Sequence, residues 1–180
     1  MSDHVWAIMP VLNSPDLTEA ALADLLAQSV PTKILIVNQG VEDPFRARLE
    51  RIAEEYADRV YLWNHVPALP SLSATWNQAL RFCWEAGGTE ALVVNNDVRL
   101  DTMTVHCLQC VLGGTQQLFV TAVGVTQEQY EGRLENEDYK RVVHDSQWPD
   151  LARTLSHGGP DFSCYLIAKS GHEKYPFDEH

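Results

Sequence analysis

Residues 90–97 read Glu90-Ala91-Leu92-Val93-Val94-Asn95-Asn96-Asp97. A short apolar run ends in two carboxamides and a carboxylate. In a chain that alternates strands and helices, such a run reads as a strand buried in a parallel sheet. Ligands of open α/β sheets gather outside the carboxyl ends of the strands. Asp97 therefore stands where a metal or a phosphate is met. The polar triplet is costly in a core and cheap at a site, because buried polar groups need partners. A strand followed by a tight turn, with Asp97 as a cap, accounts for the same residues. The neighbouring sequence has to decide.

That sequence alternates. His4–Pro10 is a strand candidate. Ser14-Pro15-Asp16 starts a helix with proline in its first turn. Leu22, Leu25, Leu26 and Ser29 trace one face of it through Gln28. Lys33–Asn38 is a second strand. Phe45, Leu49, Ile52, Ala53 and Tyr56 recur at helical spacing, so 44–57 is an amphipathic helix. Val60–Trp63 is a short third strand, and 71–86 a third helix with Trp76, Leu80 and Cys83 on one side. After Glu90–Asn95, Asp101 caps a helix reaching about Leu112, and Leu118–Gly124 is a fifth strand. Repeated βα units imply a mainly parallel sheet covered by helices, with right-handed crossovers. Residues 125–160 break the pattern and are rich in Glu, Gln, Asp, His and Arg. They read as an irregular excursion over one end of the sheet. Gly158-Gly159-Pro160 is a turn, and Phe162–Ala168 a further strand.

A chain of 180 residues holds one sizeable core and is short for two domains. No run reaches the ~18 apolar residues of a membrane span. The N-terminal Met-Ser-Asp-His-Val-Trp shows no signal peptide, so a cytoplasmic location is the default expectation. The net charge of −12 disfavours nucleic acid and anionic membranes as partners. A small anionic ligand stays compatible, because a divalent cation can stand between a carboxylate and phosphate oxygens. Of the four cysteines, Cys107 and Cys110 form a single C-x-x-C preceded by His106. Structural zinc needs a second ligand pair, and none is evident. Buried helix cysteines are the expected reading.

Four polar clusters fall at carboxyl ends of expected strands: Pro10-Val11-Leu12-Asn13, Asn38-Gln39-Gly40, Asn64-His65 and Asn95-Asn96-Asp97. One cluster would mean little, since Asn and Gly end many strands. Several at one sheet edge can line a common crevice. A carboxamide both donates and accepts, which suits the edge of a nucleobase. The third helix adds Ser71, Ser73, Thr75 and Asn77. Its first turn can offer N–H groups and hydroxyls to a diphosphate, or Ser71 or Ser73 simply caps it. Asn77 lies inside a helix, where Asn is a poor former, so a role holding a loop or ligand is expected. The phosphate loop G-x-x-x-x-G-K-[ST], the dinucleotide motif G-x-G-x-x-G and the nucleophile elbow G-x-S-x-G are all absent.

These stretches, in order, resemble the family 2 glycosyltransferases. That is the inverting, nucleotide-sugar-dependent group of the GT-A fold, and the likeness is to its rhamnosyltransferase-like members. Val5–Asn13 looks like the opening strand that usually reads V-x-I-I-P-T-Y-N. Ile36-Val37-Asn38-Gln39-Gly40 is similar to the V-D-D-G segment that meets the base. Ser71–Asn77 resembles the G-x-x-x-A-R-N helix. Leu92–Val98 looks like the D-x-D strand in an N-x-D-V variant, and Phe177-Asp178-Glu179 like F-D-E-x-F. The resemblance implies a GT-A-like, nucleotide-diphospho-sugar transferase fold, a Rossmann-like α/β sandwich. It implies a nucleotide-diphosphate sugar as partner and a glycan, lipid-linked sugar or protein as acceptor. It implies a donor site drawn from Pro10, Val11, Leu12, Asn13, Asn38, Gln39, Gly40, Ser73, Asn77, Asn95, Asn96 and Asp97, with Asp97 holding Mn²⁺ or Mg²⁺. Residues 1–124 would form the donor-binding βα portion. Residues 125–180 would form the excursion and the start of an acceptor side, within one domain.

The departures shape the expectation. Asn38-Gln39 stand where the family has its acidic pair, so the base pocket should be less strict for uracil. Asn95 replaces the first Asp of D-x-D. Trp76 and Ala79 replace Arg and Gly of the third helix. The family's general base follows F-D-E-x-F by roughly ten residues, and this sequence stops at His180. No catalytic residue is assigned; Asp161, His157, Asp178 and Glu179 are the nearby carboxylates and imidazole. Poor transfer by this chain alone is expected. The alternative reading is a non-catalytic nucleotide- or glycan-binding protein on a degenerate GT-A scaffold.

Overall fold

The computed structural model describes residues 5–65, 67–114, 117–122 and 163–179. Among the described residues eleven elements follow one another: β1 (Val5–Val11), α1 (Pro15–Leu26), β2 (Thr32–Asn38), α2 (Asp43–Glu55), β3 (Val60–Asn64), α3 (Leu72–Glu85), β4 (Glu90–Val94), α4 (Thr104–Gly114), β5 (Phe119–Thr121), β6 (Cys164–Ala168) and α5 (Lys169–Lys174). The strands form one sheet in the order β3-β2-β1-β4-β6-β5. β3, β2, β1 and β4 are parallel to one another. β6 runs against both β4 and β5.

The central strand explains its own composition. All of β1 is buried. Val5, Ala7, Met9 and Val11 enter one apolar cluster, while Trp6 and Ile8 enter the other. A strand covered on both faces needs no polar alternation. The first cluster takes Ala21, Leu22 and Leu25 from α1, Phe45 and Leu49 from α2, and Val105, Leu108 and Leu112 from α4. These recur every three or four residues, the spacing of one helical face. The second cluster is closed by α3 through Trp76, Ala79, Leu80, Cys83 and Trp84. Complete burial of a leucine contributes about 1.5–3 kcal/mol, so Leu25, Leu49 and Leu80 anchor their helices strongly.

The sheet is the mainly parallel one expected, with β6 alone running against its neighbours. Helix starts follow the sequence signals. Ser71 caps α3, its Oγ accepting the Ala74 N–H at 3.1 Å. Asp101 Oδ1 accepts the Met103 N–H at 2.8 Å just before α4. Two points differ. No sequence signal pointed to α5, which is short and contains a glycine. Gly171 lies against Leu118, where a Cβ would stand 2.8 Å from the Leu118 carbonyl oxygen. The cysteine expectation needs correction as well. Cys83 and Cys164 are buried, but Cys107 is only partly so and Cys110 is exposed, its Sγ 3.6 Å from His106 Nε2. Cys107 and Cys110 sit on α4 outside the row Val105, Leu108 and Leu112 that faces the core.

Residues 122 and 163, which flank 123–162, both lie at the carboxyl end of the parallel strands. Ala122 N–H donates to Cys164 O at 2.9 Å and Asn95 N–H to Ser163 O at 2.8 Å. The excursion expected at 125–160, with His157 and Asp161, lies outside the described residues. No described helix is long and apolar enough to cross a membrane.

Candidate functional site

The strand order reverses between β1 and β4. From β1 the chain builds outward through β2 to β3, then returns to place β4 on the other side. Such switch points open a crevice at the carboxyl ends of the strands. Asn13, Asn96 and Asp97 meet there. Asn96 Nδ2 donates to Asn13 O at 2.7 Å and to Thr18 Oγ1 at 2.8 Å. Thr18, fully buried in the first turns of α1, passes its own proton to Ser14 O at 2.9 Å. Asn96 therefore stitches the loop after β4 to the loop after β1. Ser14 sits at φ 61°, the left-handed region, which costs a non-glycine residue about 1–2 kcal/mol. Thr18 and Asn96 hold the surrounding loop against that strain.

Val98 N–H reaches back to Asn95 O at 3.4 Å, so Asn96 and Asp97 form the corner of a turn. Asp97 is exposed and makes no hydrogen bond or ion pair with a described residue. The loop beyond it is pinned. Asp24 accepts from Arg99 Nε at 2.6 Å, Arg99 Nη2 at 2.9 Å and Leu100 N–H at 2.9 Å. Burial raises the Asp24 carboxyl, and these bonds with the Arg99 charge outweigh it, leaving the carboxyl below its ordinary range. Leu12 and Asn13 are exposed at the crevice rim, whereas Pro10 and Val11 are buried beneath it.

The end of β2 is built differently. Asn38 is fully buried. Its Oδ1 accepts the N–H groups of Gly40 and Val41, both at 2.9 Å, and its Nδ2 donates to Asn64 Oδ1 at 2.8 Å. Gly40, at φ 96°, supplies the turn that brings those two N–H groups round. Asn38 thus shapes the β2–α2 loop and ties it to β3. Gln39 Oε1 accepts the Leu69 N–H at 3.1 Å, just before α3. Ser73 is half-buried in the first turn of α3, while Ser71 and Thr75 are engaged within that turn.

Asn77 lies further from the crevice. It is buried, and its Nδ2 donates to Phe177 O and Glu179 Oε1, both at 2.8 Å. Its Oδ1 accepts Phe177 N–H at 3.0 Å and meets His172 Nε2 at 2.9 Å. Trp84 Nε1–H, which can only donate, points to His172 Nδ1 at 3.0 Å. The imidazole must then be neutral, with its proton on Nε2 and directed at Asn77. Burial, and then Arg81, push its pKa below the ordinary value, against an opposing pull from Glu173. Asn77 holds a loop, as its place in the helix suggested, and the loop is the Phe177–Glu179 segment. His172 is the residue sequence reasoning passed over. Nothing in its flanks marks it, because its partners come from α3, almost a hundred positions earlier.

The candidate residues therefore fall into two groups, Asn13, Asn95, Asn96 and Asp97 at the switch point, and Gln39, His65 and Ser73 at the ends of β2 and β3 and the start of α3. Pro10, Val11, Asn38 and Asn77 form their support. An apolar hollow of about 470 Å³, lined by Leu62, Trp63 and Phe82 among others, follows the free edge strand β3.

The class this geometry defines is the GT-A-like sugar-nucleotide fold. The sequence matches no family model and no curated protein. Solved structures match over long stretches. A mannosyltransferase from Pyrobaculum calidifontis, in complex with GDP-Man and Mn²⁺, superposes with a TM-score of 0.67 at 17% identity, over 94% of this chain and 46% of the other. S. aureus TarS in complex with UDP-GlcNAc gives 0.53 at 19% identity, over 68% of this chain and 37% of the other. The chain spans less than half the length of these matched structures. At such identities the likeness is one of fold.

Proposed function

We propose that this chain binds a nucleotide-diphosphate sugar across the carboxyl ends of β1, β2 and β4, as the donor-binding portion of an inverting glycosyltransferase. The observation that carries the reading is the switch-point crevice. There Asn96 locks Asn13 in place and leaves Asp97 as an exposed carboxylate with no hydrogen bond or ion pair to any described residue. The neighbours add support, because both proteins were solved with a sugar nucleotide.

A divalent cation fits this donor set. Among the described residues no three His, Cys, Asp or Glu side chains gather into a cage. One carboxylate completed by phosphate oxygens and water is how Mg²⁺ and Mn²⁺ are often held. Asp97 would hold the ion, with the Asn95 side-chain oxygen as a second hard ligand. When bound, such an ion neutralises charge building on a leaving diphosphate. The chain's own residues do the remaining work. Asn96 and Thr18 fix the loop that meets the phosphates. The first turn of α3 would offer the Leu72 and Ser73 N–H groups and the Ser73 hydroxyl to them. The Asn77 network holds the segment that closes the α3 side. The acceptor would be a glycan, a lipid-linked sugar or a protein.

A second reading has its own observation. Asn38 and Asn95 are carboxamides, and Asn38 is wholly engaged inside the fold. A nucleotide- or glycan-binding protein without turnover needs no more than this. The test is a panel of nucleotide sugars with Mn²⁺, following binding and the release of nucleoside diphosphate separately. Binding with release supports the transferase reading. Binding without release fits a donor-binding portion and a non-catalytic binder alike, and absence of binding removes the nucleotide-sugar site from both.

A further inference from the structure

Helix α4 carries a cluster that neither the core nor the crevice uses. His106, Cys107 and Cys110 lie on it outside the row Val105, Leu108 and Leu112 that faces the sheet. His106 and Cys110 are exposed and one helical turn apart, with Nε2 and Sγ 3.6 Å from each other. Cys107 is half-buried, and both thiols are free. Residues three apart on a helix are neighbours, so Cys107 and Cys110 adjoin. Burial, and then the charges of Cys110 and Asp101, hold the Cys107 thiol above its ordinary range. The thiolate is the reactive form of cysteine. Cys107 therefore keeps its proton, while Cys110 is open to solvent beside an imidazole that can take one. One thiol is placed to attack and the other to follow. Among the described residues the three do not gather into a metal cage.

We propose that His106, Cys107 and Cys110 form a thiol–disulfide exchange site for low-molecular-weight disulfides, with Cys110 the nucleophile, His106 its base and Cys107 the resolving thiol. Cys110 Sγ gives its proton to His106 Nε2 and attacks one sulfur of the small disulfide. That S–S bond breaks, a mixed disulfide forms on Cys110, and the departing thiolate takes the proton from His106. Once bonded, Cys110 carries no charge, and its repulsion on Cys107 is gone. Cys107 Sγ then attacks Cys110 Sγ, and its proton leaves with the second small thiol. Two protein thiols are oxidised, and one small disulfide is reduced to two thiols. A disulfide needs Cβ atoms about 3.5–4.5 Å apart, against about 5–6 Å for helix positions three apart, so closure draws this turn of α4 in by about 1–2 Å. Strained disulfides are the readily reduced ones, which makes the couple reversible. This chemistry stands apart from the donor site at the crevice.

The test adds oxidised glutathione to the native protein and follows intact mass and peptide maps over time. It compares the wild type with Cys107→Ser, Cys110→Ser and His106→Gln, each checked for its fold by circular dichroism. The wild type should lose two hydrogens and show Cys107 bonded to Cys110, and excess reduced glutathione should reverse this. Cys107→Ser should stop at the glutathione adduct on Cys110. Cys110→Ser should form no bond between these positions and take up glutathione at least about tenfold more slowly. His106→Gln should slow the first step at least about tenfold. Should Cys107→Ser fail to fold, Cys107→Ala must give the same adduct. A wild type that stops at the Cys110 adduct would overturn the resolving role of Cys107. An unchanged rate in His106→Gln would overturn the role of the base. No reaction, or first reaction at Cys83 or Cys164, would overturn the site itself.

Discussion

Replacing Asn77 by alanine should detach the C-terminal segment from the body of the fold. Four hydrogen bonds end on this one side chain, two from its nitrogen and two to its oxygen, at 2.8–3.0 Å. A typical net contribution is about 0.5–1.5 kcal/mol each. Phe177 and Glu179 can turn to water once released, but His172 is 4% exposed and its Nε2–H stays behind without an acceptor. Together these give a loss of about 2–5 kcal/mol. Urea unfolding followed by circular dichroism measures it directly. Hydrogen exchange at the Phe177 amide, which donates to Asn77, gives an independent readout of detachment. Asn77→Asp keeps the oxygens but loses both donors and sets a carboxylate beside Glu179, so it should not rescue. A loss below about 1 kcal/mol with Phe177 protection unchanged would refute the network as drawn.

His172 gives a pH dependence. Its folded pKa lies below the ordinary value of 6.5, so between the two values the unfolded chain binds more protons. Stability from this group is complete above about 6.5 and falls as pH drops through the folded value; the urea midpoint should follow, and His172→Gln should flatten it. Asp24 acts lower on the scale: its depressed pKa means stability lost as pH falls from about 3.8 through the folded value, and Arg99→Ala should shrink that loss in acid titration. Gly171→Ala drives a Cβ into the Leu118 backbone and should cost about 1–3 kcal/mol, read as a lower thermal midpoint. In native protein a thiol reagent should modify exposed Cys110 first and reach Cys83 and Cys164 only on unfolding; equal rates for all would contradict the burial pattern.

The strands and helices were legible because their apolar residues keep the period of their surroundings. β1, β2 and β4 are unbroken apolar runs since both faces are covered, and α3 shows its face in Trp76, Leu80 and Cys83. The reversal of β6 was not legible, because strand direction depends on how the chain re-enters the sheet and not on the residues of Cys164–Ala168. Polar residues at strand ends were visible as candidates, but their duties were not. Asn38 and Gln39 are adjacent and both amides. One is closed within a loop by Gly40, Val41 and Asn64, while the other keeps a nitrogen with no partner among the described residues. Composition cannot separate them, since the difference lies in which backbone N–H groups the folded loops bring round. The His172–Trp84 contact joins residues 88 positions apart and left no local trace.

The central claim is that the crevice at the carboxyl ends of β1 and β4 holds a nucleoside diphosphate through Asp97. Titration calorimetry with GDP and CDP, with and without Mn²⁺, on the wild type and Asp97→Ala tests it most directly. Binding should be at least about tenfold tighter with Mn²⁺, with that gain abolished in a normally folded Asp97→Ala variant. Binding that ignores both the metal and the substitution would contradict it.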